Sequence, residues 1–126
     1  MPPKGHATLG PSSSARWISC PASVELAAAA PPEGPSPHAE EGTAAHALAE
    51  IEVRHELITR DDAAHEAALA GWDRKFAHTY DRTDMLRHIG KYVDQVRAAL
   101  DSVPHSVLLL EQRMDTGVPG VWGTGD

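Results

Sequence analysis

The sequence predicts an α/β protein, α+β within these 126 residues, with a helical N-terminal half followed by a β-hairpin. Three observations predict it. Apolar residues recur at three- and four-residue intervals between Ala44 and Leu100, and Pro104 then stops the pattern. Beyond it stand two short extended stretches, 106–114 and 121–126, joined by a turn from Gly117 to Gly120.

Taken in order, residues 1–10 are polar and aperiodic and read as a flexible tail. Pro11-Ser12-Ser13-Ser14 supplies a serine cap before Ala15, Arg16, Trp17, Ile18 and Cys20, and Pro21 forces a break. Ser23 is then placed to cap a second short helix running to Ala30. The proline-rich run from Pro31 to Pro37 can neither continue a helix nor pair in a sheet, so it reads as a loop. Thr43 is the expected N-cap of the next helix, with Ala44, Ala47, Leu48 and Ile51 on one side. Asp61-Asp62 starts an alanine-rich helix that Gly71 is expected to interrupt. Thr83 or Asp84 is the expected cap of a third, striped by Met85, Ile89, Tyr92, Val93, Val96 and Leu100. Residues 106–114 read as a strand buried at its start and alternating at its end, and 121–126 as its antiparallel partner, with Trp122, Thr124 and Asp126 on one face. Because only part of a sheet is present, that second strand is expected to have an unpaired edge.

Composition bounds the function. Hydrophobic residues are 41% of the chain, but many are alanine and only six are aromatic, so the core should be thin. Eleven basic against eighteen acidic residues give a net charge of -7, which disfavours sequence-independent binding to a phosphate backbone unless metal ions or a further basic segment offset it. Cys20, the single cysteine, cannot form an internal disulfide, so a reduced cytoplasm is the default compartment. No apolar run reaches signal-peptide length or the roughly 20 residues of a membrane span, and no membrane association is expected.

The chemistry-bearing candidates are His46, Glu50, Glu111 and Asp126. His46 and Glu50 stand one helical turn apart and project from one side, which suits a metal ligand pair or an ordinary surface contact. Asp126 closes Gly123-Thr124-Gly125-Asp126, where small residues permit close backbone approach and a strand would fix the direction of the acid. Glu111 is either a solvent-facing edge residue or a carboxylate aimed at the same pocket. His55-Glu56 and His65-Glu66 invite a His-Glu-x-x-His zinc reading, but Thr59 and Leu69 occupy the positions of the second histidine. The late glycines are no phosphate loop, since no Gly-Lys-Ser/Thr follows. One cysteine does not build an iron–sulfur cluster, which needs three more.

Four blocks in order carry a resemblance. They are Leu9 to Ser23, Glu41 to Glu50, Glu111-Gln112-Arg113-Met114-Asp115, and Gly123-Thr124-Gly125-Asp126. Together the sequence resembles a family of phage- and prophage-associated proteins of unknown function in the RecB-like branch of the PD-(D/E)XK nuclease superfamily. The resemblance implies that residues 11–126 are the N-terminal part of such a nuclease domain, ending at the first catalytic aspartate. It also implies a site in which a helix histidine, a strand aspartate and a later acid-x-lysine pair hold one or two magnesium or manganese ions. His46 matches the histidine and Asp126 the first aspartate, Glu111 and Glu50 being candidates for a third ligand. Ser13 and Arg16 fall in the segment that opens such domains and are the implied nucleic-acid contacts, and Cys20 matches the first of four cluster cysteines in some relatives. Gly125 stands where usual members carry alanine. The implied activity is metal-dependent hydrolysis of DNA by a cytoplasmic, bacterial or phage-encoded protein. Because the acid-x-lysine motif is not within these residues, they are expected to bind metal weakly and not to cut DNA by themselves. The competing reading is a non-catalytic DNA-binding or protein-interaction module on the same scaffold, and a zinc hydrolase using several of the eight histidines ranks third for want of ligand spacing.

Overall fold

The computed structural model describes residues 7–32 and 34–125, and its elements are mostly helical with an antiparallel hairpin at the C-terminal end. Two compact units emerge, one formed by residues 34–108 and the other by the N-terminal segment together with residues 109 onward. No helix among the described residues is long and apolar enough to cross a membrane.

In the second of these units a 3-10 turn, Pro11–Ser13, leads into α1 (Ser14–Ser19), and α2 (Ala22–Ala29) follows the break at Pro21. The helical pair is as expected, but its capping is not. Ser23 lies inside α2 and its hydroxyl is buried without a hydrogen-bond partner, because the helix begins one residue earlier, directly after Pro21. Residues 7–10 are tied down rather than loose. The Leu9 amide donates to the Gly120 carbonyl at 3.0 Å, and the Gly10 carbonyl accepts from the Trp17 indole at 3.1 Å.

The hairpin pairs β1 (Gln112–Asp115) with β2 (Trp122–Gly125), in the register Arg113 with Thr124 and Asp115 with Trp122. Gly117 and Gly120 both adopt positive φ, 78° and 79°, where a side chain is strained, and the Thr116 hydroxyl donates to the Val121 carbonyl at 2.8 Å to close the turn. The strand expected over 106–114 forms only in its last part. Glu111 enters the left-handed region at φ 50°, which breaks the extended run, and Val107 and Leu109 remain exposed.

The helical unit is built around α3 (Pro37–Arg54), against which α4 (Asp62–Phe76) and α5 (Arg82–Ser102) both pack. Thr43 is not the cap of α3. The helix starts seven residues earlier, because Ser36 accepts from the Ala39 amide at 3.2 Å and Pro37 suits the first helical position; Thr43 instead donates its hydroxyl back to the Ala39 carbonyl. A π-helical turn, His55–Thr59, ends the element, with Arg60 in the left-handed region at φ 51°. Asp61 caps α4 as its spacing suggests, but the helix runs through Gly71 to Phe76, since burial of Trp72 outweighs one glycine's cost of about 1 kcal/mol. Asp81, not Thr83 or Asp84, caps α5 by accepting from the Asp84 amide at 3.0 Å.

Among the described residues the buried ones are Ala44, Leu48, Val53, Trp72, Ile89 and Val93, all in this unit. The core is thin, as the composition implies. The Trp72 indole N–H, which burial would otherwise orphan, donates to the Ala44 carbonyl at 2.8 Å. Urea denaturation tests this division of labour: Leu48→Ala, at a fully buried position, should cost about 2–5 kcal/mol. Leu26→Ala, at a position 69% exposed, should change stability by less than about 0.5 kcal/mol.

Candidate functional site

The candidate ligands divide between the two units. His46 and Glu50 lie on α3, His46 exposed and Glu50 half-buried, one turn apart on one side of the helix as their spacing requires. Because α3 begins at Pro37, His46 sits well inside the helix rather than in its first turn. Glycine at 42 is not demanded by a close neighbour, since a Cβ there would meet nothing within 4 Å. The Glu50 carboxylate accepts from the Arg54 guanidinium at 2.8 Å through Oε1.

Glu111 stands half-buried at the entrance to β1, in the left-handed conformation noted above. Asp126, the residue that follows β2, lies outside the described residues. Close approach does explain Gly123: a Cβ there would come within 3.0 Å of the Pro11 ring. Gly123 therefore serves packing of the hairpin on the N-terminal segment. The Arg16 side chain is exposed on α1, whereas the Ser13 hydroxyl donates to the Gly10 carbonyl at 3.0 Å and shapes the turn there. Cys20 is exposed. Among the described residues, no group of three or more His, Cys, Asp or Glu side chains is placed to hold a metal ion.

The structure also brings together residues that spacing alone did not connect. His55 and His65 stack face to face, centroids 4.0 Å apart and planes within 9°. Each ring ends on a carboxylate: His55 Nε2 is 2.9 Å from Asp62 Oδ1, and His65 Nε2 is 2.8 Å from Glu52 Oε1. The π turn and the α4 cap bring the rings together across Asp61. These are the same two histidines that fail as a His-Glu-x-x-His pair. Stacked rings with nitrogens engaged by separate carboxylates join α3 to α4, and they do not converge on a common ligand point.

The Tyr80 phenol is pushed up from its ordinary value, first by desolvation and then by the Glu40 and Glu41 carboxylates at the start of α3.

Residues 6–126 match a family model described as "Protein of unknown function (DUF2800)", and the chain belongs to that family. No solved structure matches the chain.

Two measurements check the local chemistry. A double-mutant cycle on His55→Ala and His65→Ala should give a coupling of about 0.5–1.5 kcal/mol, the range for paired rings, and additive losses would mean the stack contributes nothing. In an ultraviolet titration Tyr80 should ionise later than an ordinary tyrosine, and the Glu40→Gln/Glu41→Gln double variant should move it part of the way back. The sign follows for stability. A phenol raised in the folded state favours folding fully below the ordinary value of about 10, and that contribution fades as pH climbs through the folded value.

Proposed function

We propose that this chain is the front portion of a metal-dependent deoxyribonuclease of phage or prophage type, in which His46 and Asp126 hold a magnesium or manganese ion with Glu111 or Glu50 as third ligand. The resemblance of four ordered sequence blocks to the RecB-like branch of the PD-(D/E)XK nucleases motivates it. The observation that supports it most is the antiparallel pairing of β1 with β2, which supplies the hairpin such a site needs directly before Asp126. Solvent exposure of His46 on an ordered helix is the second support.

An imidazole nitrogen with carboxylate oxygens is a donor set that manganese accepts readily and that magnesium tolerates when oxygens predominate. Bound there, a divalent ion would supply stabilisation of charge on the scissile phosphate and a more acidic water. The chain's own residues would orient rather than react. α3 would fix the direction of the His46 ring, β2 would carry the backbone into Asp126, and exposed Arg16 would contact the phosphate backbone. Hydrolysis also calls for the acid-x-lysine pair, so cleavage is proposed for a protein that carries that motif on a further strand.

The test reads metal binding without needing turnover. On addition of manganese, paramagnetic broadening should fall first on the ring protons of His46 among the eight histidines, and Asp126→Asn should weaken the effect at least about tenfold. Broadening shared equally by the other histidines, or unchanged in Asp126→Asn, contradicts the assignment. In a protein that includes the acid-x-lysine strand, His46→Ala and Asp126→Ala should each abolish manganese-dependent cleavage while thermal unfolding is preserved.

A further inference from the structure

α5 carries Gly90 in its interior, where glycine weakens a helix relative to alanine. Crowding does not explain it, because a Cβ at Gly90 would meet nothing within 4 Å. The residue lines a groove of about 250 Å³ between α5 and the C-terminal part of α3 with its π turn. Leu86, Ile89 and Val93 make the apolar floor, while Glu52, Glu56, Asp94 and Arg97 make the rim. Arg97 already shows what the rim holds. Its guanidinium lies 3.1 Å from Glu56 and 3.4 Å from Asp94, linking the two walls. Glu52 is also engaged by the His65 ring at 2.8 Å, and three carboxylates against one guanidinium and one imidazole leave the rim negative, with room over the glycine.

We propose that this groove docks a lysine or arginine side chain presented by a partner protein, the aliphatic stem lying over Gly90 and the cationic head among Glu52, Glu56 and Asp94. Long basic side chains bury their methylenes on apolar surface while keeping the charge at a polar edge, which is the arrangement of floor and rim here. The missing Cβ lets the partner's backbone come close. A polyanion is disfavoured at such a rim, so this surface is distinct in its chemistry from a nucleic-acid contact. None of the residues that line it is a proposed metal ligand, and the inference stands or falls separately from the nuclease reading.

The experiment uses the whole chain and two short helical peptides, each with a leucine stripe, one flanked by arginines and the other with glutamate at every arginine position. Amide chemical shifts report the site. The arginine peptide should move the Gly90, Asp94 and Glu56 signals, and the glutamate peptide should not. Gly90→Leu, which fills the notch at a helical position with open space, should weaken binding at least about tenfold without lowering the melting midpoint. Asp94→Asn should weaken it by a smaller factor and serves as the check if Gly90→Leu disturbs the helix. Shifts centred elsewhere, equal shifts with both peptides, no shifts at all, or binding that survives Gly90→Leu would each overturn the proposal. A concentration-dependent dimer that Gly90→Leu abolishes would give the groove to a second copy of the chain and overturn it as well.

Discussion

The bond from the Trp72 indole to the Ala44 carbonyl is the constraint on which the helical unit depends. A buried indole must find an acceptor, and here the acceptor is backbone, so α4 is held against one particular turn of α3. Only a small side chain at position 44 leaves space for that approach, and Ala44 and Leu48, one turn apart, are both fully buried. With that face fixed, the rest of α3 has no choice of orientation. His46 follows Ala44 by two residues, and Glu50 follows Leu48 by two, a rotation of about 200° around the helix. The same packing that stabilises α3 therefore turns both candidate ligands away from the core.

The charged residues around this frame are largely paired with one another. Glu50 meets Arg54, Glu52 meets His65, Glu56 meets Arg97, and Asp73 meets Arg82. The pairs of Glu50, Glu56 and Asp73 with arginine are exposed enough to contribute little stability individually, whereas Glu52 and His65 are mostly buried; all four fix side-chain directions at the helix borders. The acidic excess of the sequence is thus partly organised into inter-helix links. A reading in which the chain touches DNA places the contact at the metal ligands and Arg16, because the acidic surface offers no general attraction to phosphate.

Much of the fold was legible in the sequence where local chemistry decides it. Pro21 and Pro104 stop helices, the glycines at 117 and 120 take the positive φ that the turn demands, and the stripe through Ile89 and Val93 faces the core. Caps were less legible because several residues competed for each role. Ser36-Pro37 carries both a capping oxygen and a proline suited to the first helical position but lies inside a proline-rich run, whereas Thr43, a residue type that favours caps, is interior to the helix. The apolar run at 107–110 suggested strand, yet pairing needs a partner and a continuous extended backbone, and Glu111 interrupts the second. Of the candidate site, the shared side of His46 and Glu50 followed from the helical period and the hairpin before Asp126 from the strand period. The His55–His65 stack did not, because it depends on a π turn that no residue pattern marks.

The proposed function requires His46 and Asp126 to share one divalent ion. The most direct measurement is a diffraction experiment on crystals grown with manganese, reading the anomalous signal of the metal. A single strong peak is expected, with a His46 ring nitrogen and an Asp126 carboxylate oxygen each at about 2.0–2.6 Å. An ordered Asp126 with no anomalous peak between it and His46, or a peak held by other side chains, would contradict it.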